Sequence, residues 1–296
     1  MYERRRIMKI GISQEFNNFY KSDEIFSRLK KIGYDGVDYP LSSTYCCPDP
    51  LFSRPRSEWV KHFEEVAAAL KLNGMEALQT HATFSTNFDG ETRLSQRCLD
   101  QYKREIEATA ILGSPYIVIH PINIALYGRD KQLDYDVNME AFALLDPILK
   151  QHNVRLGVEN MFGWDDVRRR NCPTGCSLPE DMVKYIDGTH SDSFVACLDT
   201  GHMLINCVSP ADAVKILGKR LKLLHVHDNY GITDNHNAPT QGIADWKAFA
   251  AALKEVGYDG AFSMEVSFAR VMKTDKELCW DYAEFAYKAA KRILEV

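Results

Sequence analysis

The sequence predicts an α/β protein built as a single (β/α)8 TIM barrel, and three observations predict it. Eight short runs rich in Val, Ile and Leu recur from one end of the 296 residues to the other. Amphipathic helical patterns, with apolar residues returning at three and four positions, lie between them. No linker rich in Pro, Gly or Ser divides the chain, whose length suits one barrel of about 250 residues with additions. Alternating strand and helix requires parallel strands joined by crossovers, and eight such units suit a closed barrel better than an open doubly wound sheet.

The first strand, KIGIS (9–13), leads into the helix pattern SDEIFSRLKKIG, and the second, GVDYP (36–40), into SEWVKHFEEVAAALKLNG. The third to sixth are ALQTHA (77–82), YIVIHP (116–121), RLGVEN (155–160) and FVACLDT (194–200). The seventh, LKLLHVHD (221–228), precedes ADWKAFAAALKEVG, and the eighth, AFSMEV (261–266), precedes DKELCWDYAEFAYKAAKRIL. Glycine at the end of several helix patterns acts as a stop. KKIGYDGVDY (30–39) and KEVGYDGAFS (254–263) echo one another, as two units making the same helix-to-strand turn would. Residues 1–7, ahead of Met8, read as a disordered extension or alternative start, which leaves 8–296 as the catalytic barrel.

A net charge of −5 and a pI near 6.0 give no general attraction to nucleic acid or acidic membranes. MYERRRI is not followed by the apolar core of a signal peptide, and no stretch stays apolar for the roughly 18 residues of a membrane span. The expectation is a cytoplasmic protein acting on a small molecule, without nucleic acid or membrane, and with a homo-oligomer left open. Eight scattered cysteines without a secretion signal read as reduced thiols. Cys172 and Cys176 in NCPTGC have a spacing compatible with zinc, but no second pair follows at a finger-like distance.

The informative stretch is LLHVHDNYGITDNH (223–236). In a barrel the C-terminal strand ends form the floor of the active site. His81, His120, Glu159, Asp199, His225 and Glu265 fall at those ends, His202 lies just beyond Asp199, and Asp234 and His236 follow strand seven. Of nine histidines, His62, His152 and His190 instead fall on helix patterns or near helix ends. Taken singly, each remaining histidine has a plain reading as a hydrogen-bonded core residue. Together they share one rim, and several buried carboxylates call for a compensating cation. Oxygen and nitrogen donors without thiolate favour Mn²⁺, Zn²⁺, Co²⁺ or Mg²⁺. His225 and His227, two apart on a strand, point the same way, and Asp228 the other.

GVENMFG, CLDTGHMLIN, LHVHDN followed by DNH, and SMEV resemble the xylose isomerase-like barrel superfamily of sugar isomerases and epimerases, with which endonuclease IV also groups. The resemblance follows element order along nearly the whole chain. By analogy with the sugar 3-epimerase branch it implies one divalent metal, Mn²⁺ first, held by Glu159, Asp199, His225 and Glu265, which prefers His225 over His227 as the ligand. It also implies a substrate-binding role for His202, while Gly231 stands where that branch has an arginine. The DNA-repair branch implies three zinc ions, with His81, His120, His202, Asp234 and His236 completing nine ligands. Against that branch, the segments after DTGH and DNH are unlike it, and HATFSTNFDG lacks its DNA-intruding loop pattern.

The expected function is therefore a metal-dependent sugar isomerase or epimerase. Glu159 and Glu265 would move a proton next to a carbonyl through a metal-stabilised enediolate, and the other five residues would bind substrate or additional metal. An endonuclease IV-like nuclease acting at abasic DNA, and metal-dependent elimination on a glycoside or keto-sugar, are the alternatives. Trp164 and Arg168, Arg169 and Arg170 after strand five read as a solvated charge run, with substrate contact the other reading.

Overall fold

The computed structural model describes residues 8–14, 16, 20–42, 49–84, 92–124 and 130–295, so the expected extension at 1–7 and most of the segment after Phe84 lie outside the described residues. In chain order the described strands are β1 (Ile10–Ser13), β2 (Gly36–Pro40), β3 (Glu76–His81), β4 (Tyr116–Ile119), β5 (Arg155–Glu159), β6 (Gly163–Asp165), β7 (Arg170–Cys172), β8 (Phe194–Asp199), β9 (Leu221–His225) and β10 (Phe262–Met264). Eight form one parallel sheet in the order β10-β1-β2-β3-β4-β5-β8-β9, while β6 and β7 pair as an antiparallel hairpin. The sheet closes where β9 meets β10: Val226 N donates to Ser263 O at 2.8 Å, and Glu265 N donates to Val226 O at 3.2 Å. The fold is a single (β/α)8 barrel.

Helices α1 (Ser22–Ile32), α2 (Arg56–Leu72), α3 (Gln96–Ile111), α4 (Lys131–His152), α5 (Pro179–Gly188), the pair α6 (Thr200–Ile205) and α7 (Pro210–Leu217), α8 (Trp246–Val256), and the pair α9 (Ala269–Met272) and α10 (Leu278–Leu294) fill the connections. Their starts are fixed by side chains that satisfy free N–H groups: Ser95 caps α3, Asp130 caps α4 and Asp245 caps α8. The two echoed turns are alike in space. Gly33 and Gly257 end α1 and α8 at φ 126° and 66°, where a side chain would be strained, and the tyrosine after each donates its hydroxyl to a backbone carbonyl. No described helix is long and apolar enough to cross a membrane.

The main core lies between the strands and the helix layer. Inside the barrel, Val118, Val195, Cys197 and Leu223 form a separate apolar cluster. Gly157 makes room for it, since a Cβ there would stand 2.3 Å from Leu223 Cδ1. Toward the C-terminal ends of the strands this filling gives way to polar groups.

The regular strands stop short of six of the eight expected ends, ALQTHA and RLGVEN by one residue each, at His81 and Glu159. FVACLDT pairs only to Asp199, because the Asp199 carboxylate accepts from His202 N at 2.6 Å and starts α6 at Thr200. Regular pairing of LKLLHVHD ends at His225; Val226 bridges to Met264, and Asp228 turns to exchange backbone hydrogen bonds with Asn237. YIVIHP and AFSMEV likewise end at Ile119 and Met264. Arg168, Arg169 and Arg170 are exposed as expected, but they belong to the hairpin rather than to an unstructured run. Asp165 makes the turn, accepting from Val167 N, Arg168 N and Arg168 Nη1.

Candidate metal centre

All nine residues expected at the rim converge there. His81 and Glu159 end β3 and β5, and Asp199 and His225 end β8 and β9. His120 and Glu265 follow β4 and β10 by one residue, His202 sits in the first turn of α6, and Asp234 and His236 come from the loop after β9.

Their donor atoms fall into three neighbouring sets. In the first, His120 Nε2 lies 2.9 Å from Glu159 Oε2 and 3.1 Å from His81 Nε2. In the second, Glu159, Asp199, His225 and Glu265 each offer one donor atom within 4.8 Å of the others. There His225 Nδ1 is 3.1 Å from Glu159 Oε1 and 3.2 Å from Glu265 Oε2. In the third, Asp234 Oδ2 stands 3.2 Å from His202 Nε2 and 2.9 Å from His236 Nε2. Glu159 joins the first two sets through its two oxygens.

The rings are aimed by what holds their other nitrogens. His225 Nε2 donates to Asp38 Oδ2 at 2.9 Å, which leaves Nδ1 facing the glutamates; the same Asp38 oxygen accepts from Gln79 Nε2 at 2.9 Å. His202 Nδ1 donates to Asn160 O, His236 Nδ1 to Glu265 O and His81 Nδ1 to Ala82 O, with the opposite nitrogen turned inward each time. Asp199 Oδ2 accepts from His227 Nε2 at 3.0 Å. His227 also stacks on His236, with ring centroids 4.2 Å apart. Gly201 makes that packing possible, because a Cβ would fall 1.9 Å from His227 Cε1.

Burial alone drives these groups toward neutrality; at Glu159, Asp199, His202, His225, Asp234 and His236 the attraction of unlike charges outweighs it, whereas at His120 burial prevails and lowers the imidazole. The Glu159 carboxyl, pushed up by burial, is held well below its ordinary range by His225 and His120. Against the same burial, Asp199 and Asp234 raise the His202 imidazole well above its usual value, and Glu265 and Asp234 bring His236 to about 10. A cation would take the place of those protons. The donor set suits one: Glu159 Oε2, His225 Nδ1 and Asp234 Oδ1 are buried without a hydrogen bond, and the oxygen and nitrogen donors match a divalent first-row ion or Mg²⁺.

Cys172 and Cys176 are free and enter no convergent donor group among the described residues. The remaining histidines lie away from the site, His62 on α2 and His152 at the end of α4, with His190 just past α5. Sequence reasoning missed Asp38 and Asn160. The available signal for Asp38 was a carboxylate inside the otherwise apolar run GVDYP.

Residues 26–284 match the family described as xylose isomerase-like TIM barrel. The uncharacterized protein MJ1311 of Methanocaldococcus jannaschii is 24% identical over 283 residues, covering 94% of this chain and 90% of that one. A protein named probable endonuclease 4 of Bacillus subtilis is 28% identical over 186 residues, 58% of each chain. Among solved structures, D-psicose 3-epimerase in the presence of D-fructose superposes with a TM-score of 0.72 at 18% identity, covering 97% of this chain and 99% of that one.

Proposed function

The chain belongs to the xylose isomerase-like TIM barrel family, and from that premise we propose that it is a metal-dependent isomerase or epimerase acting on a sugar or sugar derivative that carries a carbonyl. The observation that carries this reading is the convergence of Glu159, Asp199, His225 and Glu265 on one point. The epimerase fold at TM-score 0.72 supports it. Mn²⁺ is the first candidate cation, and Zn²⁺, Co²⁺ and Mg²⁺ suit the same donors.

A divalent cation held by these four residues would supply positive charge against the negative charge that develops on a carbonyl oxygen when the neighbouring carbon loses a proton. The chain's own groups would move that proton. Glu159 and Glu265 approach His225 Nδ1 at 3.1 and 3.2 Å from strands three steps apart around the barrel, so their carboxylates flank the space in front of it. Glu159 is kept in the anionic form that a base requires. One carboxylate would remove the proton and the other return it on the opposite face, inverting the carbon. Return to the adjacent carbon would instead interconvert aldose and ketose. His202 and His236, whose inward nitrogens face Asp234, would hold substrate hydroxyls or a further cation.

A second reading has its own observation. The groups His81–Glu159–His225, Asp199–His202–His227 and His227–His236–Glu265 also bring their donor atoms within 4.8 Å of one another, and the endonuclease 4 relative matches over 58% of its length, which favours a three-metal phosphodiesterase acting at abasic DNA. The net charge of −5 weighs against a polyanionic substrate. One experiment separates the readings: metal-loaded protein is incubated in heavy water with a panel of ketoses that includes D-fructose and, separately, with an abasic duplex. Deuterium on carbon next to the carbonyl, with the duplex intact and Glu159→Gln and Glu265→Gln losing exchange while retaining metal, supports the isomerase reading. Duplex nicking with three retained ions per chain and no exchange across a panel of ketoses would overturn it. Release of a substituent from a glycoside or keto-sugar without inversion would point to elimination.

A further inference from the structure

Beside the metal centre, the β6–β7 hairpin, the end of α6 and the loop after β9 enclose a cleft of about 710 Å³. Its position is fixed by the same elements that place the third donor set. Asn206 lies four residues after His202, about 6 Å along a helix at 1.5 Å per residue, and Ile232 comes two residues before Asp234. The Phe162 ring, which leads into the hairpin, packs edge-on against His202 at 5.0 Å. Asn171 Nδ2 donates to Ile232 O at 2.5 Å and pins the hairpin to the loop that carries Asp234.

The walls combine two kinds of surface. Trp164, 49% exposed, and Ile232, 71% exposed, present apolar faces to solvent. Arg168 is neutralised by Asp165, but no carboxylate pairs with Arg169 or Arg170 among the described residues. The Arg169 guanidinium lies 5.9 Å from the Trp164 ring centroid, and its backbone holds the left-handed region at φ 55°. Structure alone gives no use for the uncompensated Arg169 guanidinium over a half-exposed indole, with a second uncompensated arginine, Arg170, on the same cleft wall, in a chain of net charge −5. Together they suit a ring face bearing an anion: the indole covers the apolar side, and the planar guanidiniums meet phosphate or carboxylate oxygens.

We propose that this cleft is a second substrate subsite, which takes a phosphate or carboxylate carried by the sugar on the side away from the reacting carbons. The inference rests on the isomerase reading and narrows its substrate to an anionic sugar. The test measures binding of D-fructose, D-fructose 6-phosphate and D-fructuronate, which differ at one carbon, to the Mn²⁺-loaded full chain by calorimetry. The expected result is that at least one charged ketose binds about tenfold or more tightly than D-fructose, the scale of one charge-assisted contact. The tighter of the two names the anion. In the double variant Arg169→Ala/Arg170→Ala that preference disappears while metal content and D-fructose affinity stay unchanged, and Arg169→Lys/Arg170→Lys restores part of it. Equal affinity for all three, no binding of any, or a preference that survives the alanine pair would overturn the subsite. So would an arginine-dependent affinity for the abasic duplex alone. Deuterium exchange into each of the three ketoses is read separately. Exchange without charge preference removes the subsite and leaves the isomerase; charge preference without exchange does the reverse.

Discussion

At the N-terminal end of the barrel, Lys9 Nζ meets Glu76 Oε2 at 2.5 Å and Lys222 Nζ meets Asp259 Oδ1 at 2.8 Å, with all but Lys222 about half in solvent. At the C-terminal end, His225 Nδ1 and Glu159 Oε1 stand 3.1 Å apart with almost no exposure on either side. The separations are similar, yet the consequences are not. Water already screens the first pairs, so each contributes roughly 0–1 kcal/mol. The buried groups have lost several kcal/mol of hydration apiece, and only well-placed opposite charge restores it. Burial, rather than proximity, turns one end into a candidate metal centre and leaves the other as surface.

The sharpest way to break this contrast is to remove a rim donor. Asp199→Ala or His225→Ala should lose most bound metal, measured by elemental analysis, and nearly all turnover, while circular dichroism still reports a barrel. Unchanged metal content and rate would show that the buried cluster is not a metal site. A smaller effect is expected one contact further out. Asp38→Asn removes the charge that orients His225 and should weaken metal affinity about 10- to 100-fold, measured by competition with a chromophoric chelator.

Glu105 is an intermediate case, a carboxylate buried beside the end of β3. Burial raises it to about 7 against hydrogen bonds from Gln101 and Thr83. Because its pKa rises on folding, the protonated form is favoured in the native state. Its cost is absent below about pH 4.5, grows as pH climbs to 7 and is full above. Glu105→Gln should therefore flatten the pH dependence of Tm, gaining relative to wild type between pH 5 and pH 8 by an amount on the order of 2–3 kcal/mol. A parallel shift at both pH values would remove titration of Glu105 as the cause. The smallest effect belongs to the other end: Lys9→Met should change stability by about 1 kcal/mol or less and leave metal content alone.

Much of this contrast was legible in the sequence. Regular alternation, with glycines such as Gly33 and Gly257 ending helices, specified the barrel, and the barrel then placed nine scattered His, Asp and Glu residues on one rim. What could not be read depended on how distant segments meet. Asp38 reaches a partner 187 residues away, and a register shift between Val37 and Asp38 accompanies it, which local periodicity does not encode. The side chains of His225 and His227 were expected on one face, but only the folded chain shows that one faces Glu159 and the other orients Asp199. The hairpin after β5 was hidden because its strands are three residues long and its turn is set by Asp165 rather than by glycine.

The seam between β9 and β10 ties two otherwise separate features together. Only two backbone hydrogen bonds at Val226 close it beyond the regular strands, and their residues are sequence neighbours of His225 and include Glu265. A cation shared by these two side chains would act as a clasp across the seam that these two hydrogen bonds close. Its signature is kinetic: the amide protons of Val226 and Glu265 should exchange with heavy water by local opening of that seam and slow sharply on metal loading. Amides between β1 and β2, whose pairing no donor spans, should keep their rates until the whole barrel unfolds.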